Sequence, residues 1–138
     1  MTKQDNPFAD RSGELVPGRI KRYRQRLLAL LDSPSHTIQE ILEHKSAHEK
    51  PGVYAIFLPG DSEVVYVGRN KTKAIADRIW QHRYVDTPSD LRGMVKRHPH
   101  LPRDIGAYCV RYVVEEDKRD RLFFGNFVIG CLAPPMNK

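Results

Sequence analysis

The chain has 138 residues, of which 40% are hydrophobic and 29% charged; that is room for one domain, or one domain with an appendage, and excludes a disordered or fibrous protein. Apolar stretches such as Phe127-Val128-Ile129 fall far short of the ~18 residues a membrane-spanning helix needs, and no basic-then-apolar leader opens the chain, so neither a membrane nor secretion is indicated. Lys and Arg number 23 against 17 acids, a formal net charge of +6, which favours polyanionic partners, nucleic acid first and an acidic membrane surface second. Cys109 and Cys131 have neither metal-site nor redox spacing and read as small buried hydrophobes of a cytoplasmic protein.

In chain order, residues 1–13 are polar and loose at their start. Pro17 opens a helix as its first residue. Ile20, Tyr23, Leu27, Leu30 and Leu31 recur at helical spacing and leave the basic run 19–26 outside, where five of eight residues are cationic. Asp32-Ser-Pro-Ser ends that helix, and a second starts near Thr37, with Ile38, Ile41 and Leu42 inward and a polar run through Lys50. Residues 1–50 therefore read as a basic helical N-terminal extension. His44 and His48 are four apart but lack the glutamate of HExxH, and read as an exposed polar face.

Pro51 and Gly52 break the pattern. Residues 53–58 are apolar on both faces, as in a strand covered from both sides. Pro59-Gly60-Asp61 is a turn signal, and residues 64–67 form the returning strand. A helix over 73–84 follows, then a short one through Val95 capped by Thr87 or Ser89. Residues 107–114 read as a third strand, with Tyr108, Val110, Tyr112 and Val114 on one face. The last helix, over 117–132, is apolar almost all round, which predicts burial, and Pro134-Pro135 ends it. Residues 51–138 thus form an α+β domain, a small antiparallel sheet of about three strands flanked by helices. Two further basic groups, Arg69 with Lys71 and Lys73, and Arg92 with Lys96 and Arg97, lie within it. His98-Pro-His100 reads as a loop without a role.

Two aromatic-glycine words mark the hairpin, Gly52-Val53-Tyr54 and Tyr66-Val67-Gly68. Arg78 and His82 lie four apart beside the inward stripe of Ile75 and Ile79, and Pro134-Pro135-Met136-Asn137 closes the chain. This ordered set over residues 51–137 resembles the GIY-YIG nuclease family, its restriction-endonuclease branch more than the excision-repair incision subunit. The resemblance implies metal-dependent hydrolysis of a phosphodiester in double-stranded DNA, with one Mg²⁺ (or Mn²⁺). It assigns Tyr54 and Tyr66 to the site, one of them helping to activate the attacking water. Arg78 is expected to hold the scissile phosphate, His82 to relay a proton or orient a tyrosine, and Asn137 to organise the site through hydrogen bonds. Arg69, Lys71, Lys73, Arg19, Arg22 and Arg26 are the expected nucleic-acid contacts. A palindromic target would imply a homodimer.

Two features of the sequence test that assignment. Strand side chains alternate, so the tyrosines share a face only if the hairpin register is even, which calls for an odd-length loop such as residues 59–61. The family's metal-binding glutamate, twelve residues before the terminal asparagine, falls on Gly125. Glycine offers no carboxylate to a hard cation. Gly125 therefore marks an inactivated nuclease, a pseudo-nuclease that only binds nucleic acid, or a site in which Glu115, Glu116 or Asp120 holds the ion from a turn or more away.

Overall fold

The computed structural model describes residues 15–137; the expectation for residues 1–13 lies outside them. In chain order the elements are α1 (Val16–Asp32), β1 (His36–Thr37), α2 (Ile38–Glu43), β2 (Gly52–Phe57), β3 (Val64–Arg69), α3 (Ile75–Tyr84), α4 (Leu91–Arg97), β4 (Cys109–Val114) and α5 (Lys118–Leu132). Single 3₁₀ turns at Lys45–His48 and Ile105–Ala107 join them. The fold is α+β, and its sheet has four strands rather than three, in the order β1-β4-β2-β3 and antiparallel throughout. The additional strand is two residues long, too short to carry an alternation that a sequence could display.

β2 lies between β4 and β3, and its alternation feeds two cores. Tyr54 and Ile56 join Ile38, Ile41, Ile75, Ile79, Leu91 and Val110 on one face. Val53 and Ala55 join Tyr23, Leu30, Phe124 and Val128 on the other. The strand read as covered on both faces is indeed so covered, by α2 and α3 on one side and α1 and α5 on the other. The helices of residues 1–50 take part in both cores. Ile20, expected inward, is 54% exposed, because only Tyr23 and Leu30 of α1 reach full burial. α2 starts with Thr37 and Glu40 in a reciprocal capping box, which satisfies two orphan helix donors. His48, expected on an exposed face, is buried, and its Nδ1 lies 2.6 Å from the Tyr112 hydroxyl. α5 buries only Arg121, Phe124, Gly125 and Val128, and Cys131 is exposed while Cys109 is buried. One face of α5 already fills the space beside β2 and β3.

The hairpin reaches the required register by a different route. The loop between the paired residues Phe57 and Val64 has six residues, an even number, but Val65 is unpaired because the register shifts between Ile56 and Phe57. This β-bulge restores even pairing, with Tyr54 opposite Gly68 and Ile56 opposite Tyr66, so both tyrosines emerge on one face. Gly60, at φ +85°, and Asp61, at φ +61°, turn the loop, and the Arg111 guanidinium on β4 grips the Asp61 carboxylate.

Because Leu30 is fully buried between sheet and helix, Leu30→Ala should lower the free energy of unfolding by about 3 kcal/mol. Urea denaturation followed by circular dichroism should show one cooperative transition at a lower midpoint. An unchanged midpoint would mark α1 as an independent appendage.

Candidate nucleic-acid interface and active site

Glycine is needed in both hairpin words for space. A Cβ on Gly52 would lie 2.1 Å from the Val113 carbonyl oxygen, and one on Gly68 would lie 2.2 Å from the Tyr54 hydroxyl. The Tyr54 ring therefore crosses β3 over a residue without a side chain. Its centroid lies 6.3 Å from that of Tyr66 and 5.7 Å from that of His82, and the Tyr66 and His82 rings are 5.3 Å apart. Two strands and one helix thus bring three of the expected site residues into mutual contact.

His82 is fully buried, and burial, with Arg78 adding to it, holds its imidazole well below the ordinary 6.5 and so neutral. The backbone N–H of Leu91 donates to its Nδ1 at 2.9 Å. The proton of the neutral ring must then sit on Nε2, which donates to the Tyr54 hydroxyl at 2.9 Å. This fixed tautomer cannot accept the phenol proton, so of the two roles expected for His82 the geometry provides orientation, not relay. Burial, with Tyr66 adding to it and Arg78 opposing, pushes the Tyr54 phenol above its ordinary 10. Tyr66 is half-buried, lines the cleft and belongs to the same aromatic group.

Arg78 lies at the border of the core, where the helical projection places it. Its guanidinium donates to Gln81 at 3.1 Å, to the Asp90 carboxylate at 2.5 Å and to the Ser89 carbonyl at 2.9 Å. Asp90 also accepts from the Thr87 hydroxyl. Neither Thr87 nor Ser89 caps α4. Asp90 is the N-cap residue, and with its side chain committed to Arg78 and Thr87 it makes no side-chain cap bond.

Asn137 lines the cleft and holds the edge of the sheet. Its amide accepts from the Val67 N–H and donates to the Val67 carbonyl, both at 2.8 Å, while the Met136 N–H donates to the carbonyl of the unpaired Val65. Ala133, at φ +44°, turns the tail after α5, and the tail then completes the outer edge of β3.

A cleft of about 1030 Å³ opens over this edge. Tyr54, Tyr66 and Arg78 line it together with Arg69, Lys71, Lys73, Arg97 and His98. His98 thus lies in the cleft although its loop had no expected role. Arg19, Arg22 and Arg26, expected to contact nucleic acid, are not among the lining residues. Arg26 pairs with Glu115 at 2.6 Å and Arg22 with Asp120 at 3.8 Å, which ties α1 to the start of α5.

Arg121 has no counterpart in the sequence reading. It is 4% exposed and donates to the carbonyls of Asn70, Lys71, Glu115 and Glu116 at 2.8–2.9 Å. Buried Asn70 accepts the Gly52 N–H and donates to the Ala74 carbonyl. Together they fix the basic loop of residues 69–73. Their signal is absent from the sequence because the partners are backbone atoms as far as 51 residues away.

The donor set of the cleft does not fit a hard divalent cation. Among the described residues no Asp or Glu lines it, and no group of three His, Cys, Asp or Glu side chains could hold a metal. Glu115 and Asp120 serve the α1 arginines, and Glu116 lies 3.5 Å from Lys50 at the surface. Gly125 itself lies under Arg69, whose Cδ would be 2.9 Å from a Cβ at that position.

No family model and no curated protein matches this chain. Among solved structures, it is similar to the crystal structure of the GIY-YIG N-terminal endonuclease domain of UvrC from Thermotoga maritima, bound to its catalytic divalent cation, magnesium. That likeness has 17% sequence identity and a TM-score of 0.47, and covers 86% of this chain and 98% of the other.

The buried neutral His82 makes stability depend on pH. Its folded-state value lies below the ordinary 6.5, so the unfolded chain binds the extra proton. Stability is therefore complete above that pH and falls as the pH drops through it. The loss from this one group approaches ~1.4 kcal/mol per pH unit. His82→Gln should flatten the profile between pH 7.5 and pH 5, read as urea midpoints; a parallel profile would mean that His82 protonates without cost.

Proposed function

We propose that this chain is a GIY-YIG-type DNA endonuclease, of the restriction-like kind, in an inactivated form. The observation that carries the reading is the cleft in which Tyr54, Tyr66 and Arg78 meet a wall of cations while the position expected to carry the acid is Gly125. In this reading the phosphodiester backbone of double-stranded DNA lies along the edge of β3. Arg78, with its fork fixed by Asp90 and Ser89, faces the scissile phosphate. His82 orients Tyr54, and Asn137 keeps β3 and hence Tyr66 in place. Hydrolysis adds water across the P–O bond. The Tyr54 phenol, raised by burial, stays protonated at neutral pH and offers no base to that water. With no carboxylate at Gly125 to hold a cation beside either tyrosine, the chain in this reading binds its substrate without cutting it. A palindromic target would be read by two copies related by a two-fold axis, and the cysteine usage suits a reducing compartment such as the cytoplasm.

The absence of any carboxylate among the described residues of the cleft lining also favours a second reading, a non-catalytic module that holds nucleic acid. Cleavage assays on a mixed-sequence duplex separate the two. Gly125→Glu, alone and combined with Arg69→Ala to clear the space above position 125, should cut in Mg²⁺ or Mn²⁺. Adding Arg78→Ala should abolish that cutting in a chain still folded by circular dichroism, with a lower unfolding midpoint because the buried Asp90 carboxylate loses its partner. Binding without cleavage by every variant supports the second reading, and efficient Mg²⁺-dependent cutting by the unaltered chain would overturn the account of Gly125.

A further inference from the structure

We infer that Arg69, seated on Gly125, forms a metal-independent phosphate-binding site, in which the guanidinium supplies the positive charge that holds a DNA phosphodiester in the cleft. This deepens the reading above and rests on the cleft being a nucleic-acid site. Arg69 ends β3 and is half-buried. Its stem lies across the glycine: a Cβ at position 125 would meet Arg69 Cδ at 2.9 Å, Cβ at 3.3 Å and Cγ at 3.5 Å. Any larger residue there displaces the arginine, so the glycine of α5 and the arginine of β3 form one unit. A glycine inside a helix costs about 1 kcal/mol relative to alanine, and here the space it leaves is filled by the arginine stem.

The guanidinium has no ion-pair partner among the described residues, whereas Arg22, Arg26, Arg78, Arg97 and Arg111 all have one. Lys71 and Lys73 follow it into the same cleft on a loop that Arg121 holds by its carbonyls. A planar fork with free donors, on a fixed stem and among cations, suits the oxygens of a phosphodiester. A divalent cation has no carboxylate to anchor it and would be repelled by the same charges.

The test is the anisotropy of a fluorescein-labelled DNA duplex titrated with the full chain. Binding should be as tight in EDTA as in Mg²⁺ at matched ionic strength, and inorganic phosphate should compete. Arg69→Ala should weaken binding about tenfold, the loss of one charge-assisted contact. Lys21→Ala, which removes the same charge from the exposed face of α1, should change it less than about twofold. Gly125→Ala leaves every charge in place but moves the arginine stem, and should weaken binding severalfold with no loss of unfolding midpoint. A requirement for Mg²⁺, equal effects of the Arg69 and Lys21 variants, or parental affinity in Gly125→Ala would each overturn the inference. A chain that binds no duplex under any condition would instead remove the nucleic-acid reading on which it rests.

Discussion

The candidate site depends on one imidazole bonded at both nitrogens. Nδ1 of His82 takes the first N–H of α4, and Nε2 reaches across to the hydroxyl of Tyr54 on β2. A buried neutral imidazole accepts from a backbone amide at one nitrogen and donates to a phenol at the other, both in fixed directions. Three consequences follow. The end of α4 needs no capping side chain, so Asp90 is available to Arg78. The Tyr54 ring is held across the sheet. The histidine is excluded from carrying protons, and its contribution is to orient and polarise the phenol.

The second constraint is the edge of the sheet. Among the described residues β3 has a strand partner only on its β2 side, and an edge strand is free to slip or to pair with another chain. Here the bulge at Val65 fixes the register, and Asn137 stands in for a neighbouring strand by bonding both polar groups of Val67. Tyr66 sits between these two anchors. Arg121 performs a similar service for the loop that follows, with four carbonyls on one guanidinium. The cleft is thus formed at an edge whose open hydrogen bonds are partly closed by side chains from the far end of the chain.

Features set by neighbours in sequence were the legible ones. The double coverage of β2, the helix bearing Arg78 and His82, and the extent of α5 each followed from spacing or capping residues, and the two hairpin words pointed to the tyrosine face. What depended on contacts across the sheet was not legible. An even loop with a bulge gives the same facing of Tyr54 and Tyr66 as an odd loop without one, so the outcome was foreseeable and the route was not. The arginines of α1 show in the sequence as charge alone; that Arg26 faces Glu115 and Arg22 faces Asp120 could emerge only from the fold. Asn137 was read as an organiser of the site, but that its partner is the backbone of β3 could emerge only from the turn at Ala133 that brings the tail back. Asp90 and Arg121 were missed for the same reason: each is defined by what it bonds.

The charge of the cleft follows from these placements. Asp120 and Glu115 face α1 and Glu116 faces Lys50, where they balance cations that would otherwise repel one another. That leaves the cleft beside α5 and the β3 edge with arginine and lysine and, among the described residues, no carboxylate. A cleft of this kind attracts anions without a bound divalent cation, the more weakly the higher the salt, and its low-dielectric aromatic floor of Tyr54, Tyr66 and buried His82 strengthens each such contact. The same floor makes it costly to form a phenolate without further positive charge beside it. Attraction for an anion and reluctance to ionise the buried tyrosine are therefore two results of one arrangement, in which the cations stand on the cleft wall and the Tyr54 phenol lies beneath them in the aromatic floor.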